Sequence, residues 1–407
     1  MNKKIMLTLL VVVSLMVTFI NPCINTLPVS AAQVYGDVNV DGSVDALDLA
    51  LVKSHLLGNS SIGNTSLADV NADKTIDAID FSLYKQYLLK LITKFPGDQG
   101  STTPAELPKP IKVGISGLGI DTSQVKTKYL NVSYGNVSKN QTLDIYIPND
   151  INGPYPVILG IFGGAWLGGS SKGSDMAPII EGGHNHGYAV VCVNYRLSGE
   201  AKFPAAVSDC KAAVRFIKAN AAKYGFNPDK IAAWGASSGG HLTAMLGTTG
   251  NVTTLDGDTT TNSSYPSNIQ AAVDWFGPTD FTKMDEQFKA SGVSSMLGSH
   301  SAAGSPESQF IGTAVSSNPT LAQKANPISY ISTMNTATAP AFFIQHGSKD
   351  NLVPYQQSVI LADALKPVIG NSKVTFEIIN GAGHGTSEFS AASNIKKIFA
   401  FLDPIMK

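Results

Sequence analysis

The chain has 407 residues, a formal net charge of −1 at pH 7 and only 14% charged side chains. At roughly 100–200 residues per domain, this length predicts two or three structural units. A near-neutral chain lacks the basic surface that neutralises phosphates, which argues against binding to nucleic acid along the whole protein. Hydrophobic residues make up 43%, which allows a sizeable core, and three cysteines are too few for a disulfide-built scaffold.

The first 32 residues have the layout of an export signal. Lys3 and Lys4 precede an apolar run at 5–20, and small residues surround Ala31 and Ala32. The run is shorter than the roughly 20 residues that a membrane-spanning helix needs, which favours a cleaved signal over an uncleaved anchor. We therefore expect a secreted, extracellular protein without membrane attachment after cleavage.

Two segments, residues 37–48 and 69–80, repeat one spacing of oxygen-bearing side chains. These side chains recur at loop positions 1, 3, 5, 9 and 12, and position 7 would offer its backbone carbonyl. The predicted ligands are Asp37, Asn39, Asp41, Ser43, Asp45 and Asp48 in the first loop, and Asp69, Asn71, Asp73, Thr75, Asp77 and Asp80 in the second. Because calcium requires six to eight oxygen ligands, this spacing predicts two structural Ca²⁺ sites.

Each loop is followed by a predicted amphipathic helix, at 47–57 and 79–92, and no helix is expected before either loop. Residues 33–95 thereby resemble a type I dockerin, a small all-α module that docks enzymes onto a cellulosome scaffold. The resemblance implies a cohesin module as partner, selected by loop positions 10 and 11, which are Ala46, Leu47, Ala78 and Ile79. Lys74 replaces the usual glycine at position 6 of the second loop, which predicts weaker calcium binding there.

Residues 96–110 hold four prolines and no apolar periodicity, which predicts a linker and leaves 111–407 as one unit. In that unit, apolar β-rich runs alternate with helical patterns. This alternation predicts an α/β fold with a doubly wound, mostly parallel sheet, whose chemistry gathers where the strands end. The predicted strands are 129–134, 142–147, 155–162, 189–195, 230–235, 271–276, 341–346 and 374–379.

A serine between glycines follows the fifth of these strands, in the motif G-A-S-S-G at 235–239. A strand, G-x-S-x-G and a helix together form the sharp turn on which hydrolases present a nucleophilic serine. We predict that Ser237 is this nucleophile. The start of the following helix would also offer free N–H groups to a developing negative charge.

A serine needs a base and an orienting acid to become a good nucleophile. Asp350 and His384 each follow a predicted strand, and the order Ser237, Asp350, His384 is that of α/β-hydrolases. We therefore predict that His384 accepts the serine proton and that Asp350 orients the imidazole. Asp274 and Asp280, near the end of the 271–276 strand, are the rival acids.

Backbone N–H groups are predicted to form an oxyanion hole, and they belong to Gly164, Ala165 and Ser238. Three aromatic residues are candidates either for pocket walls or for core packing alone, namely Trp166, Phe276 and Phe310. His241 and His346 are expected to be structural, whereas His300 is expected to be exposed or locally bonded. Cys192 and Cys210 are expected to be buried thiols, with a disulfide as the alternative.

Several motifs are similar to those of the hormone-sensitive-lipase-like and feruloyl-esterase-like carboxylesterases. They include F-G-G-A-W at 162–166, G-A-S-S-G-G-H-L at 235–242, H-G-S-K-D-N-L-V-P at 346–354 and G-A-G-H-G at 381–385. The similarity covers residues 125–402 and implies an α/β-hydrolase domain, in which the polar, turn-rich segment 282–330 covers the active site. Phe162 stands where the family's loop begins with histidine, so a different brace of that loop is expected.

Together these features predict a secreted, cellulosome-associated serine esterase. The resemblance implies that it removes acetyl groups, or as a second choice feruloyl groups, from hemicellulose of plant cell walls. Calcium is expected in the dockerin only, and no cofactor is expected for catalysis. Two alternatives stay open: the same triad serves general carboxylesterases, lipases and peptidases, and Phe162 raises the alternative of a degenerate, non-catalytic domain.

Overall fold

The computed structural model describes residues 35–90, 92, 95, 107–116, 119–257 and 261–407. The predicted export signal and most of the predicted linker lie outside the described residues. The chain divides into two compact units, Met1–Ala105 and Glu106–Lys407, and each is described by itself. None of the helices in the described part combines the length with the apolar character of a membrane span.

Two similar loop–helix repeats build the first unit, with helices α1 (Ala46–Leu56) and α3 (Ala78–Leu88). At the start of α1, the Asp45 carboxylate accepts a hydrogen bond from the N–H of Leu47. The Asp48 carboxylate accepts in return from the N–H of Asp45, and the second repeat has the same capping box. Both predicted helices are present, although the second is shorter than expected.

A four-residue helix, α2 (Thr65–Ala68), ends directly before the second calcium loop. The expectation that no helix precedes either loop is therefore wrong for the second one. Ala68 of this helix is buried with Val52 and Tyr84 in the small core of the unit. Because so few side chains form this core, the unit needs stabilisation beyond apolar burial.

Ten strands lie in the described part of the second unit. They are β1 (Gly114–Ser116), β2 (Gly119–Asp121), β3 (Thr127–Ser133), β4 (Thr142–Ile147), β5 (Tyr155–Ile161), β6 (Ala189–Val193), β7 (Phe226–Ala236), β8 (Ala271–Trp275), β9 (Ala341–Gly347) and β10 (Val374–Ile379). Strands β1 and β2 form a separate hairpin, which the sequence did not predict. The other eight form one sheet in the order β10-β9-β8-β7-β5-β6-β4-β3.

The described part of the second unit also contains ten α-helices, several of which flank the sheet. They are α4 (Ala177–Asn185), α5 (Ala205–Ala219), α6 (Ala221–Tyr224), α7 (Ser238–Thr248), α8 (Met284–Ser291), α9 (Pro306–Ile311), α10 (Pro319–Ala325), α11 (Gln356–Ile369), α12 (Ser387–Ser390) and α13 (Ala392–Met406). Strands β3, β4 and β6 pair antiparallel, and all other neighbours in the sheet pair parallel. The predicted doubly wound, mostly parallel α/β fold is confirmed.

The polar segment at 282–330 is more ordered than its composition suggests. It contains the short helices α8, α9 and α10, and the last two begin at local start signals. Ser305 accepts a hydrogen bond from the N–H of Ser308 at the start of α9, and Asn318 caps α10 in the same way. Proline follows each cap, where its missing N–H costs nothing. Caps and prolines, rather than apolar periodicity, define the starts of α9 and α10.

Both cysteines of the second unit are free and buried. Cys192 lies in β6 and Cys210 in α5, so the disulfide alternative is not realised. Burial raises the pKa of each thiol well above its ordinary value, since a thiolate would lose its hydration.

Candidate active site

Ser237 occupies a strained turn between β7 and α7. Its φ of 56° and ψ of −122° lie outside the regions that residues with a side chain favour. The two glycines of the motif permit this turn, because a Cβ on Gly239 would collide with the carbonyl oxygen of Ile161. A Cβ on Gly235 would likewise collide with the backbone of Gly239. The motif thus requires glycine at both positions for a steric reason, because three backbone segments approach one another closely there.

Asp350 and His384 are hydrogen bonded, with 2.7 Å between Asp350 Oδ2 and His384 Nδ1. The other carboxylate oxygen, Oδ1, accepts from the N–H groups of Leu352 and Val353 at 2.8 and 2.9 Å. His384 and Ser237 lie on the wall of the same pocket. The structure therefore brings the three residues of the predicted triad into one region, as the order of strand ends suggested.

A second imidazole contacts the same carboxylate. His346 Nε2 lies 3.2 Å from Asp350 Oδ2 and 2.9 Å from the carbonyl oxygen of Val353, while Nδ1 lies 2.7 Å from Ser358 Oγ. A hydroxyl that donates to Nδ1 leaves the proton on Nε2, where both oxygens can accept it. His346 is packed and fully bonded as expected, but sequence reasoning missed its contact with Asp350. The spacing of four residues was the available signal.

The contacts of the Asp350 carboxylate favour its ionised form. Burial alone would raise the pKa of its carboxyl, but the hydrogen bonds from His346 and His384 outweigh burial and hold the pKa well below its usual range. The rival acids have other hydrogen-bond donors, although the buried Oδ2 of Asp274 has none among the described residues. Asp280 accepts from Thr282 and Asn326, and Asp274 accepts from the N–H of Gly277. Burial raises the pKa of Asp274 to about 6.

The predicted oxyanion loop follows β5 with three successive residues at positive φ, namely Gly164 at 119°, Ala165 at 59° and Trp166 at 59°. Within the described residues, the N–H groups of Gly164 and Ala165 have no hydrogen-bond acceptor. The same is true of the N–H of Ser238, the first residue of α7. All three residues line the pocket that contains Ser237. Free donors beside a serine are suited to an oxyanion.

Three contacts brace this loop in place of the missing histidine. The Phe162 ring stacks on Tyr195 with 4.3 Å between ring centroids, and the Tyr195 hydroxyl donates to the carbonyl oxygen of Phe162. Asp175 Oδ2 accepts from the N–H of Gly163 at 2.7 Å. Phe162 thus holds the loop by stacking on Tyr195.

The pocket encloses about 690 Å³, and most of its wall is apolar. Of the aromatic candidates, Trp166 and Phe276 line it, whereas Phe310 stacks behind Trp166 at 4.6 Å between centroids. His241 is structural, because Trp166 Nε1 donates to its Nδ1 and its Nε2 donates to the carbonyl of Ala325. Burial lowers the pKa of His241 to about 4, so it stays neutral.

The two calcium loops have the same internal geometry. Asp37 accepts from the N–H groups of Asp41 and Gly42, and the corresponding contacts recur in the second loop. Lys74 adopts the positive φ of 74° that Gly42 adopts more readily at 93°. Among the described residues, no three His, Cys, Asp or Glu side chains form a cluster that could already hold a metal. The donors are all hard oxygens, however, and this chemistry fits calcium.

The predicted partner-binding positions of the first unit lie on its surface. Leu47 is 58% exposed and Ile79 is 54% exposed, and Ala46 and Ala78 beside them are exposed as well. Two large apolar side chains in equivalent places of both repeats are unusual on so small a module and suit an interface.

The fold and the serine turn define the second unit as an α/β-hydrolase. A family model for BD-FAE matches residues 143–365, more than half of the chain, and a model for the dockerin type I domain matches residues 35–89. The chain therefore belongs to the BD-FAE family and carries a type I dockerin domain, and both resemblances inferred from the motifs are confirmed.

Curated relatives carry esterase names. The chain is similar to the probable carboxylic ester hydrolase LipM of Mycobacterium tuberculosis, with 31% identity over 58% of this chain and 52% of the relative. Esterase LipC of the same organism is 28% identical over 60% of this chain and 57% of the relative. The chain thus spans about half the length of the curated relatives it matches.

Two solved structures are similar to the second unit. One is a truncated form of a carbohydrate esterase from gut microbiota, with a TM-score of 0.62 and 31% identity over 71% of this chain and 99% of that chain. The other is a bifunctional GH43-CE from Bacteroides eggerthii, with a TM-score of 0.61 and 31% identity over 69% of this chain and 35% of that chain.

Proposed function

We propose that the second unit is a serine carboxylesterase that acts through Ser237, His384 and Asp350. The observation that carries this proposal is the 2.7 Å hydrogen bond between His384 Nδ1 and Asp350 Oδ2, with His384 and Ser237 on one pocket wall. Because Nδ1 donates to Asp350, the lone pair on His384 Nε2 is left for the serine proton. The esterase names of the relatives support ester hydrolysis.

In the proposed reaction, Ser237 Oγ attacks the ester carbonyl while His384 takes its proton. The N–H groups of Gly164, Ala165 and Ser238 stabilise the negative oxygen of the tetrahedral intermediate. The intermediate releases the alcohol, which takes the proton from His384, and leaves an acyl-enzyme. Water that His384 deprotonates then attacks the acyl carbonyl. The bond to Ser237 Oγ breaks, Oγ takes the proton back from His384, and the carboxylic acid leaves.

We infer that the substrate is an ester on hemicellulose, with acetyl as the first choice and feruloyl as the second. Two observations support this choice: the dockerin domain on the same chain and the similarity to a carbohydrate esterase. A dockerin would attach the enzyme to a cohesin module of an extracellular cellulosome. The basic and apolar start of the chain supports export.

Acid release from two polymers tests this function. We expect the full chain to release acetate from acetylated xylan, and more slowly ferulate from feruloylated arabinoxylan, as measured by chromatography. A long-chain triglyceride and a peptide anilide are the comparison substrates. Faster hydrolysis of either comparison substrate would favour the lipase or peptidase alternative. No release from any substrate, p-nitrophenyl acetate included, would favour the degenerate domain.

We propose that the first unit binds two structural calcium ions and, through its exposed Leu47 and Ile79, a cohesin module. The oxygen-bearing residues at positions 1, 3, 5, 9 and 12 of each loop would hold the ion, with the carbonyls of Ser43 and Thr75. A bound cation would neutralise loop carboxylates, of which Asp48 and Asp80 are fully buried. This neutralisation would supply stability that the small core lacks.

Removal of calcium is expected to destabilise the first unit alone. A ligand at about 100 times its Kd contributes about 2.7 kcal/mol per site, so EDTA should lower the midpoint of that unit's thermal transition by about 10 °C or more. Scanning calorimetry of the full chain measures both transitions, and the transition of the second unit serves as the internal control. A double variant, Asp41→Asn with Asp73→Asn, should reproduce the effect of EDTA in the presence of calcium. An EDTA-insensitive first transition would contradict the proposed sites.

A further inference from the structure

The carboxylate of the proposed catalytic acid is enclosed by protein. The side chain of Asp350 has 0% exposure, and so does that of His346 beside it. A charged carboxylate loses its hydration in such a place, so hydrogen-bond donors have to replace water around both of its oxygens. Which donors face each oxygen therefore decides how this acid acts on the rest of the site.

The two oxygens of this carboxylate have different donors. Oδ1 accepts from the backbone N–H groups of Leu352 and Val353. Oδ2 is approached by two imidazoles, with 2.7 Å to His384 Nδ1 and 3.2 Å to His346 Nε2. Asp350 thus presents one and the same oxygen to the proposed base and to a histidine outside the triad.

Contacts on both ring nitrogens hold His346 in this place. Nδ1 lies 2.7 Å from Ser358 Oγ, and Nε2 lies 2.9 Å from the carbonyl oxygen of Val353. Because a carbonyl and a carboxylate face Nε2 and neither can donate, the imidazole proton belongs on Nε2. His346 therefore presents a fixed N–H between the oxygens of Val353 and Asp350.

The effect of this N–H on Asp350 is large. Burial raises the pKa of the Asp350 carboxyl; of the groups that lower the pKa, His346 has the largest effect through its hydrogen bond, followed by His384. Asp274 on β8 also interacts electrostatically with His346. The other charged side chains near the site either bond to other groups or are exposed to solvent, and they are Asp175, Glu307, Glu377, Lys349 and Glu388.

A donor on Oδ2 changes what the acid does to the base. The carboxylate charge that the N–H of His346 stabilises is less available to stabilise a protonated His384. The base then gives up its proton at a lower pH and remains able to accept the serine proton there. The same contact restrains the carboxylate, so that Oδ2 stays directed at His384 Nδ1.

We propose that His346 is a positioning residue for the catalytic acid: its Nε2–H holds Asp350 Oδ2 toward His384 and weakens the hold of Asp350 on the protonated base. This inference rests on the proposed esterase function and deepens it, because it assigns a second histidine to the site and a pH range to the reaction. With His346 in place, the enzyme keeps its activity further into acid.

The test compares pH profiles of kcat/KM on p-nitrophenyl acetate for the full chain as wild type, His346→Met and His346→Gln. Methionine fills a similar volume without a donor, whereas glutamine retains an N–H group for Asp350. For His346→Met we expect the acid-side midpoint of the profile to rise by about 0.5 or more and the plateau to fall about tenfold. His346→Gln should restore the midpoint of the wild type. Absorbance at the isosbestic wavelength of nitrophenol makes the rates comparable across pH.

Ser358→Ala is the matched control, because it removes a hydrogen bond from the same imidazole while Val353 and Asp350 still face Nε2. It should lower the midpoint of thermal unfolding and leave the acid-side midpoint of activity unchanged. A methionine variant with a lower plateau but an unmoved acid-side midpoint would make His346 a packing residue and overturn the inference. Equal shifts for methionine and glutamine would overturn it as well. Wild-type protein that hydrolyses no ester would instead overturn the esterase proposal itself.

A measurement on the wild type alone covers the case in which His346→Met does not fold. In NMR spectra of protein with isotope-labelled histidine, the Nε2–H signal of His346 is followed from neutral pH into acid. Because both imidazoles share Oδ2, protonation of His384 should move this signal with the same midpoint as the activity. A signal that stays in place while activity is lost would contradict the shared oxygen and overturn the inference.

Discussion

Replacement of Ser237 with alanine is expected to lower kcat on acetylated xylan and on p-nitrophenyl acetate by about 10⁴- to 10⁶-fold. Without Oγ no acyl-enzyme can form, so only the oxyanion donors and substrate binding remain to assist attack by water. The measurement is acetate release by chromatography and nitrophenolate release by absorbance. Both assays should report a similar loss, because the same serine attacks both esters.

The folded state should survive this change. Ser237 makes its backbone hydrogen bond to the carbonyl of Trp275 through its N–H, which alanine retains, and alanine meets the same strained φ of 56°. Thermal unfolding of the variant should therefore match that of the wild type. If the variant kept more than about a hundredth of wild-type kcat, another residue would have to be the nucleophile.

Replacement of Asp350 with asparagine is expected to lower kcat by about 10⁴-fold without removing any atom of the nucleophile or base. Asp350 now accepts from two backbone N–H groups on Oδ1 and from His384 and His346 on Oδ2. The amide group of asparagine must turn an NH₂ toward one of these donors. If it faces His384, the imidazole proton moves to Nε2, and the base then presents a hydrogen to Ser237 instead of a lone pair.

The pH dependence of stability gives a second measurement of the state of Asp350. Because hydrogen bonds hold the pKa of Asp350 well below its usual range, Asp350 stays ionised wherever the enzyme is assayed. A folded-state pKa that is depressed contributes stability above the unfolded-state pKa of about 3.9, and this stability is lost as pH falls through the folded-state value. Asp350→Asn should therefore unfold less steeply in acid than wild type, besides losing activity at neutral pH.

Asp280→Asn is the control for this prediction, since Asp280 is a rival acid from the same sheet edge. Its carboxylate accepts from Thr282 and Asn326. Its replacement should therefore act on local stability, with kcat near the wild-type value. A large loss of kcat for Asp280→Asn together with a small one for Asp350→Asn would reverse the assignment of the acid.

The parts of the site that follow from local geometry were predictable. The serine turn needs glycines where backbones approach, so Gly235 and Gly239 mark it in the sequence. Asp350 and His384 follow strand ends, and parallel strands bring their ends to one edge of the sheet. The loops with calcium-binding spacing were equally predictable from the sequence, because few structures other than an ion-binding loop require oxygen-bearing side chains at fixed intervals.

Contacts between distant segments were not predictable in the same way. Asp175 braces Gly163 across a loop, and Glu307 lies in a polar segment whose composition suggests turns. Neither residue belongs to a spacing rule that a single sequence reveals, because both depend on how the segment 282–330 and the loop after β5 fold over the sheet. His346 is an intermediate case, with a detectable spacing from Asp350 but no pattern that assigns it a partner.

The two free thiols have a consequence for the surroundings in which the enzyme can work. Cys192 in β6 and Cys210 in α5 are buried in the core, and burial keeps their thiols protonated. A protonated, inaccessible thiol neither attacks oxidants nor exchanges with other disulfides. The described part of the second unit therefore keeps the same covalent structure in reducing and in oxidising media. The stability of this part does not depend on a disulfide between the two cysteines, which would suit the proposed exported enzyme.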